Sequence, residues 1–159
     1  VVVPSDMNGI GVSSKFNFPY GITTDGTNLY VADSGDRLIR KIVISSGVVT
    51  SLVGSYPFGA VDARGDAASF NYPFGITTDG TNIYVADTGN NTIRQIVIAT
   101  GDVTTLAGSG TLGSTDGIGA AASFNQPVGI TTDGINLYVA DSGKKKIRQK
   151  GISPGGVTP

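Results

Sequence analysis

The chain has 159 residues, and its 11 Lys and Arg residues nearly balance its 12 Asp and Glu residues. This balance creates no electric field that would favour nucleic acid or an anionic membrane as a partner. The sequence has no Cys and no His, which excludes disulfides, thiol catalysis, cysteine zinc sites and the commonest general base. No apolar run approaches the ~20 residues of a membrane-spanning helix. We therefore expect neither a nucleic-acid nor a membrane partner.

One stretch of sequence occurs three times along the chain. Its copies begin at Phe16, Phe70 and Phe124, so the period is about 54 residues. A fixed period of this length is typical of propellers, solenoids and other repeat arrays. The 24 Gly residues and the low charged fraction of 14% indicate short strands joined by tight turns.

Each copy of the repeat predicts antiparallel strands. In the first copy the strands cover 21–24, 29–33, 38–44 and 48–53, and Asp25-Gly26 marks the first hairpin turn. The second copy gives 75–78, 83–87, 92–98 and 103–107, and the third gives 129–132, 137–141 and 147–152. Consecutive units of four antiparallel strands describe the blades of a β-propeller. The sequence therefore predicts an all-β propeller with three four-stranded blades per chain.

The two ends of the sequence match neighbouring parts of the repeat. Segment 9–16 aligns with 117–124, and Val157 aligns with Val103, where a fourth strand begins. We therefore divide the chain into a closure segment, 1–15, and three repeats, 16–69, 70–123 and 124–159. The last repeat lacks most of its fourth strand. We expect Val1, Val2 and Val3 of some chain to complete it beyond Val157 by strand addition.

Three blades are too few for a closed propeller, which typically needs about 4–8. An arc of three blades would expose two apolar blade faces, and such patches normally mark an association surface. Two arcs related by a two-fold axis would form a six-bladed ring, so we predict a homodimer. Two alternatives stay open: the chain is half of a longer parent protein, or it folds alone into another closed form.

The repeat resembles the NHL repeat. Pro-Tyr-Gly-Ile-Thr-Thr-Asp-Gly-Thr-Asn-Leu-Tyr-Val-Ala-Asp-Ser-Gly begins at Pro19, and Ile39-Arg40 follows it. The family's unit likewise runs Pro-x-Gly-Ile, an Asp-bearing turn, a Tyr-Val-Ala-Asp-like strand, Gly-Asn and then Ile-Arg. All three copies carry the pattern. The resemblance implies a β-propeller, commonly six-bladed, and the near-identical repeats are similar to those of bacterial extracytoplasmic members.

The chain departs from the family pattern at the turn after the second strand. The usual Asn-His is replaced in the three copies by Asp36-Arg37, Asn90-Asn91 and Lys144-Lys145. Any role that depends on that His is therefore absent. The family includes protein-binding, RNA-binding and metal-dependent enzyme members, so the resemblance does not assign a function.

The repeated Asp and Arg residues have two possible roles. Asp recurs at the end of the second strand (Asp33, Asp87, Asp141) and in the first hairpin turn (Asp25, Asp79, Asp133). These side chains could be metal ligands, but Asp beside a Gly turn more often bonds the backbone of its own turn. We expect the repeated Arg of the third strand to stack or to pair with an Asp (Arg40, Arg94, Arg148). Oxygen ligands leave a calcium site open, whereas a zinc site is not expected.

One end of the predicted blades carries the variable parts of the repeat. The turns after the second strand and the long connections between blades both emerge there, whereas the uniform Asp-Gly turns lie at the other end. Variable loops on a uniform scaffold are where ligands usually bind. We therefore predict a binding face that contains Asp36, Arg37, Tyr56, Phe58, Asn90, Asn91, Lys144 and Lys145.

The sequence contains no catalytic motif, and it favours a non-enzymatic binding or structural scaffold. Its ligand is an unidentified protein, peptide or carbohydrate. The high similarity of the repeats also suits a repeat-amplified or engineered half-propeller that assembles with itself. The alternative function is a metal-dependent hydrolase or lyase with carboxylates near the propeller axis.

Overall fold

The structure is a computed structural model that describes residues 7–153 and 155–159. It contains three antiparallel sheets, one for each copy of the repeat, and each sheet is a blade of a partial β-propeller. Neighbouring blades pack through apolar side chains. Val1, Val2 and Val3 lie outside the described residues, so the strand addition assigned to them stays a prediction. The division into repeats at residues 16, 70 and 124 is likewise still a prediction.

The strands follow the predicted order within each blade. The first blade has the spatial order β1-β5-β4-β3-β2 and contains β1 (Gly9–Ile10), β2 (Pro19–Thr24), β3 (Asn28–Asp33), β4 (Leu38–Val43) and β5 (Val48–Val53). The second blade contains β6 (Pro73–Thr78), β7 (Asn82–Asp87), β8 (Thr92–Val97) and β9 (Val103–Ala107). The third contains β10 (Pro127–Thr132), β11 (Asn136–Asp141), β12 (Lys146–Gly151) and β13 (Val157–Thr158). The predicted strands are confirmed, although several of their ends shift.

Short 3₁₀ helices occupy several of the connections. They cover Gly11–Ser13, Gly65–Ala67, Thr88–Asn90, Gly119–Ala121 and Ser142–Lys144. In the described parts of the chain, no helix has the length and apolar character that crossing a bilayer requires.

The Asp side chain fixes the first hairpin turn of each blade. Asp25 Oδ1 accepts hydrogen bonds from the backbone N–H groups of Thr27 at 2.8 Å and Asn28 at 2.7 Å, and Oδ2 accepts one from the Tyr30 hydroxyl at 2.7 Å. Burial acts to raise the pKa of Asp25, but these hydrogen bonds outweigh it and lower that pKa well below its usual range. The same backbone bonds recur in the equivalent turns, at Asp79 and Asp133. The predicted bonding of these side chains to their own turns is confirmed.

The segment that precedes each blade covers the outer edge of that blade. Gly9 of β1 pairs with Val49 of β5 in antiparallel register. Isolated bridges join the equivalent segments to the outer edges of the other two blades, Arg64 to Asp102 just before β9 and Gly117 to Val157 of β13. An unpaired outer strand would be a template for unwanted strand pairing, and these short pairings shield part of it.

Two apolar cores lie between the blades. The first is formed by Tyr30, Ala32, Ile39 and Val53 of the first blade together with Ala68, Phe70, Ile76, Ile83, Val85, Ile96 and Val103. The second is formed by Tyr84, Ala86, Ile93 and Ala107 of the second blade together with Ala122, Phe124, Leu137, Val139 and Val157. The second blade therefore packs one face on the first blade and its other face on the third, whereas the first and third blades each pack on the second through one face.

A buried ion pair links the second and third strands of each blade. Arg94 Nη1 lies 2.9 Å from Asp87 Oδ2, and neither side chain is exposed. The guanidinium of Arg94 also lies over the ring of Phe70, 4.9 Å from its centroid. The equivalent pairs are Arg40 with Asp33 and Arg148 with Asp141. The expected pairing of the repeated Arg with an Asp is confirmed.

The predicted bonding of Asp87 and its equivalents to the backbone of their own turn is wrong. Asp87 Oδ1 instead accepts a hydrogen bond from the backbone N–H of Asn71 at 2.8 Å. Asp33 and Asp141 accept the same bond from the matching residues, Asn17 and Asn125. The segment that enters each blade passes beside the end of the second strand, so its N–H group reaches the carboxylate. These Asp residues therefore tie the entry of a blade to its centre.

Candidate binding face

The turns between the second and third strands lie against the long connections between blades. Arg37, in the turn after β3, contacts rings in the connection that follows the first blade. In the second blade, Asn90 Nδ2 donates a hydrogen bond to the carbonyl oxygen of Gly59 at 2.7 Å. The structure therefore brings these turns and connections to one end of the blades, which we call the binding face.

Arg37 is surrounded by three aromatic rings. Its Cζ atom lies 6.0 Å from the ring centroid of Tyr56, 5.3 Å from that of Phe58 and 4.8 Å from that of Tyr72. All three distances are within the range of cation–π attraction. Arg37 Nη1 donates a hydrogen bond to the carbonyl oxygen of Gly35 at 2.9 Å. The side chain is thus held in place while much of the surrounding ring surface stays exposed.

Beside this cluster is a groove that we call the aromatic groove. It has a volume of about 390 Å³ and is lined by Phe18, Tyr20, Ser34, Gly35, Tyr72 and Phe74. The rings of Tyr20 and Phe74 are stacked at 4.6 Å between centroids, and Tyr72 meets Phe74 edge to face at 6.4 Å. Phe18 is 84% exposed and Tyr72 is 47% exposed. Because Tyr72 also contacts Arg37, the groove and the arginine cluster form one continuous surface.

The remaining predicted residues of the first two blades hold this face together from within. Asp36 is buried, and its Oδ1 accepts a hydrogen bond from Asn17 Nδ2 at 3.0 Å. Asn90 also donates from Nδ2 to Asp87 at 2.7 Å. Asn91 adopts the left-handed backbone conformation that Asn tolerates well, and its Oδ1 accepts a hydrogen bond from the backbone N–H of Gln126. In these contacts, Asn90 and Asn91 connect neighbouring loops.

Lys144 and Lys145 belong to the turn of the third blade, apart from the aromatic cluster. Both residues are exposed, and Lys145 takes the same left-handed conformation as Arg37 and Asn91. Leu112, which corresponds to Phe58 in the repeat, is 67% exposed. Among the residues that the structure describes, neither lysine lies over an aromatic ring as Arg37 does.

Sequence reasoning missed four aromatic residues of the groove, namely Phe18, Tyr20, Tyr72 and Phe74. They flank the repeated Pro, where the third copy carries Gln126 and Val128 instead. A comparison of the three copies at these two positions would have shown that aromatic rings are restricted to the first two blades. The repeat pattern concealed this signal, because both positions are variable within the motif.

The first blade has an open face that no other blade of this chain covers. A cavity of about 300 Å³ lies on it, lined by residues that include Phe16, Ile22, Val31 and Ile42. These residues define what we call the leading face. Ile22 is 60% exposed, whereas its equivalent in the second blade, Ile76, is 6% exposed.

The third blade has an open face on the side away from the second blade. A cavity of about 380 Å³ lies on it, lined by residues that include Gly129, Tyr138, Ala140 and Ile147. These residues define the trailing face. Ile147 is 64% exposed, whereas its equivalent Ile93 is fully buried between the second and third blades.

The carboxylates at the ends of the second strands already have hydrogen-bond and ion-pair partners within the blades. Burial raises the pKa of Asp87, and the backbone hydrogen bond from Asn71 and the contacts with Asn90 and Arg94 act against that rise. Within the residues that the structure describes, no three acidic side chains are grouped so that they could hold a metal ion.

These features define the chain as part of a β-propeller built from repeated four-stranded blades. No model of a known protein family matches the chain. The human NHL repeat-containing protein 2 is 36% identical to it over 132 residues, which are 76% of this chain and 18% of that protein. The chloroplastic protein SUPPRESSOR OF QUENCHING 1 of Arabidopsis thaliana is 31% identical over 90% of this chain and 15% of its own length.

The chain belongs to the NHL-repeat β-propeller family, as its motifs predicted. Among solved structures, a protein of unknown function from Bacteroides thetaiotaomicron is 29% identical and superimposes with a TM-score of 0.72. That alignment covers 78% of this chain and 32% of the other. The chain thus spans less than a fifth of the curated relatives it matches and about a third of this solved structure.

Proposed function

We propose that this chain is a non-enzymatic binding scaffold that pairs with a second copy of itself, so that two three-bladed arcs close one six-bladed ring. In this assembly the trailing face of each copy packs on the leading face of the other. The binding face of the completed ring then presents the turns and connections to a ligand.

The observation that carries this proposal is that the two open faces have the same residues as faces that already pack on each other within the chain. Phe16, Ile22, Val31 and Ile42 of the leading face correspond, in order, to Phe70, Ile76, Val85 and Ile96 of the second blade. All four of these second-blade residues are buried against the first blade.

The trailing face has the complementary set of residues. Tyr138, Ala140 and Ile147 correspond, in order, to Tyr30, Ala32 and Ile39, which the first blade packs onto the second. A trailing face therefore fits a leading face in the same way as the two internal contacts do. Head-to-tail contacts of this kind form a ring when the rotation closes, and six blades lie within the range of about 4–8 seen in propellers.

The proposal is non-enzymatic because the repeated acidic residues have structural partners. The second-strand carboxylates bind an Arg and a backbone N–H, and the first-turn carboxylates bind the backbone of their own turns. Among the described residues, no three acidic side chains are grouped so that they could hold a metal ion. The metal-dependent hydrolase or lyase considered from the sequence therefore gains no support from this geometry.

The test is the mass of the chain in solution, measured by light scattering on a sizing column over a dilution series. We expect a species of twice 16.2 kDa at high concentration that dissociates on dilution without unfolding. A folded monomer at every concentration would overturn the pairing of two copies. A mass of three or more chains would overturn the six-bladed ring.

A further inference from the structure

We propose that the aromatic groove binds a proline-rich segment in the polyproline II conformation, with an acidic residue of that segment paired to Arg37. This inference rests on the proposed binding role of the face and adds the class of ligand. It does not depend on the pairing of two copies, because all residues of the groove belong to the first two blades of one chain.

The first argument is the shape and chemistry of the groove. Four of its six lining residues are aromatic, and their rings form a stacked and edge-to-face series instead of a closed core. A polyproline II helix has about three residues per turn and presents proline rings on one side at intervals of about 9 Å. Aromatic-lined grooves recognise such segments because the helix is already formed before binding and loses little conformational entropy.

The second argument concerns hydrogen bonds. A polyproline II helix makes no internal hydrogen bonds, so its carbonyl groups are free to accept bonds from the groove. Tyr20 and Tyr72 carry phenol hydroxyls at the groove, and Tyr56 carries another beside Arg37. Within residues 7–153 and 155–159, none of these three hydroxyls has a hydrogen-bond partner. They are therefore available donors for the carbonyl oxygens of an extended ligand.

The third argument is the charge next to the groove. The ion pairs of the described chain use Arg40, Arg94 and Arg148, and none of them uses Arg37. Arg37 nevertheless has its guanidinium oriented by Gly35 and by three rings. An oriented and unpaired guanidinium beside an apolar groove favours a ligand that combines apolar rings with a carboxylate.

A carbohydrate fits this surface less well. Selection of a sugar requires several hydrogen-bonding groups matched to its hydroxyls, since an apolar pocket discriminates poorly on hydroxyl groups. Among the described residues, the polar side chains that line the groove are Tyr20, Tyr72 and Ser34, and the Ser34 hydroxyl already donates to the carbonyl oxygen of Pro73. A proline-rich segment needs only ring contacts and a few donors.

The groove stays open when further blades are added. In the second blade, Tyr72 is the equivalent of Phe18. The second blade has a neighbouring blade on both sides, and Tyr72 is still 47% exposed. A blade packed on the leading face would therefore leave the rings of the groove accessible. The binding and the assembly can be measured separately on the same sample.

The experiment is a fluorescence-polarisation titration of the full chain with a fluorescein-labelled proline oligomer of about ten residues that has one central Glu. A Gly-Ser peptide of the same length with one Glu and a labelled glucan oligosaccharide are titrated in parallel. We expect saturable binding of the proline oligomer, with one site per chain, and at least about 10-fold weaker binding of the other two probes.

Substitutions taken from the chain's other repeats provide the variants. Tyr72→Gln together with Phe74→Val introduces the residues found at 126 and 128, and we expect it to weaken binding about 10-fold or more because two rings are lost. Arg37→Asn introduces the residue found at 91 and should weaken binding about 3-fold to 5-fold, with loss of the preference for Glu. Arg64→Gln is the control, because it removes an exposed cation at the outer edge of the second blade, away from the groove.

Each variant is first checked for an unchanged sizing profile and thermal unfolding curve, so that a loss of binding is not a loss of folding. Equal binding of the Gly-Ser and proline peptides, preferential binding of the glucan, or no effect of the double substitution would overturn the inference. None of these results would affect the light-scattering mass, which tests the assembly independently.

Discussion

Lys150 is a buried cation at a position where the other two blades carry Ile42 and Ile96. It lies in β12 opposite Leu137, is 3% exposed, and donates from Nζ to the carbonyl oxygen of Gly151. Burial lowers its pKa below the ordinary value. We predict that Lys150→Ile stabilises the chain by about 1–2 kcal/mol at neutral pH, a common gain for a well-placed core substitution. Urea unfolding of the two proteins measures this difference.

The pH dependence of this effect follows from the direction of the shift. Between the lowered pKa of Lys150 in the folded chain and its ordinary value in the unfolded chain, the unfolded state binds more protons. The free energy of unfolding therefore rises with pH across that interval. Below the interval, the full cost of burying the charged Lys150 side chain destabilises the folded chain. The advantage of the Ile variant should consequently shrink as the pH approaches the ordinary pKa of Lys. An advantage that is constant over the whole range would contradict the buried charge as its cause.

Sequence reasoning at the residue scale succeeded where a side chain acts within its own turn. Asp25 bonds the backbone two and three residues later, and such local bonds follow from residue type and spacing. It failed for Asp87, because its partner Asn71 lies sixteen residues earlier and becomes a neighbour only when the blade closes. The aromatic groove was not predicted for the same reason, since Tyr20 and Phe74 lie on different blades and come into contact only when the two blades pack.

At the scale of the elements, the contact between the first strands of neighbouring blades depends on glycine. A Cβ atom on Gly75 of β6 would lie 2.1 Å from the carbonyl oxygen of Val128 in β10, so one of the two strands must move. We predict that Gly75→Ala destabilises the chain by about 1–3 kcal/mol, the usual cost of overpacking. Thermal or urea unfolding of the monomeric chain measures it.

The matched control for this element is Gly129→Ala. Gly129 holds the same place in the third repeat, but its Cβ atom would meet only the Ala140 side chain, at an ordinary 3.4 Å. Measured at a dilution where the chain is monomeric, this variant should differ from the parent by less than about 0.5 kcal/mol. Equal destabilisation by both substitutions would mean that the loss of glycine itself, and not the blade contact, is responsible.

The strands were predictable from sequence because the chain carries the same strand and turn pattern three times, once in each repeat. Turn dipeptides such as Asp25-Gly26 mark their ends, and the structure moves those ends only slightly. The short edge pairing of Gly9 with Val49 was not predictable in this way. It depends on where a long connection runs after the blades have packed, and its residues carry no strand pattern of their own.

At the scale of the whole molecule, the trailing face carries a glycine, Gly129, that no contact within this chain requires. Gly21 and Gly75 are each required by a carbonyl oxygen of the next blade, at 2.4 Å and 2.1 Å from an ideal Cβ atom, whereas Gly129 has no such neighbour. If the trailing face packs on the leading face of a second copy, the carbonyl of that copy's residue at position 20 takes this place. Gly129→Ala should then affect the assembly without affecting the fold of a single chain.

We predict that Gly129→Ala weakens the pairing of two chains by at least about 30-fold, since about 1–3 kcal/mol of overpacking is placed at each of the two contacts of the ring. Light scattering over the same dilution series would show a mass of 16.2 kDa at concentrations where the parent chain has twice that mass. Lys144→Ala, at an exposed turn of the same blade, should leave the pairing unchanged. If the parent is a dimer and Gly129→Ala dimerises equally well, the two copies meet through another surface, because no blade contact within this chain leaves room for a methyl group at that position.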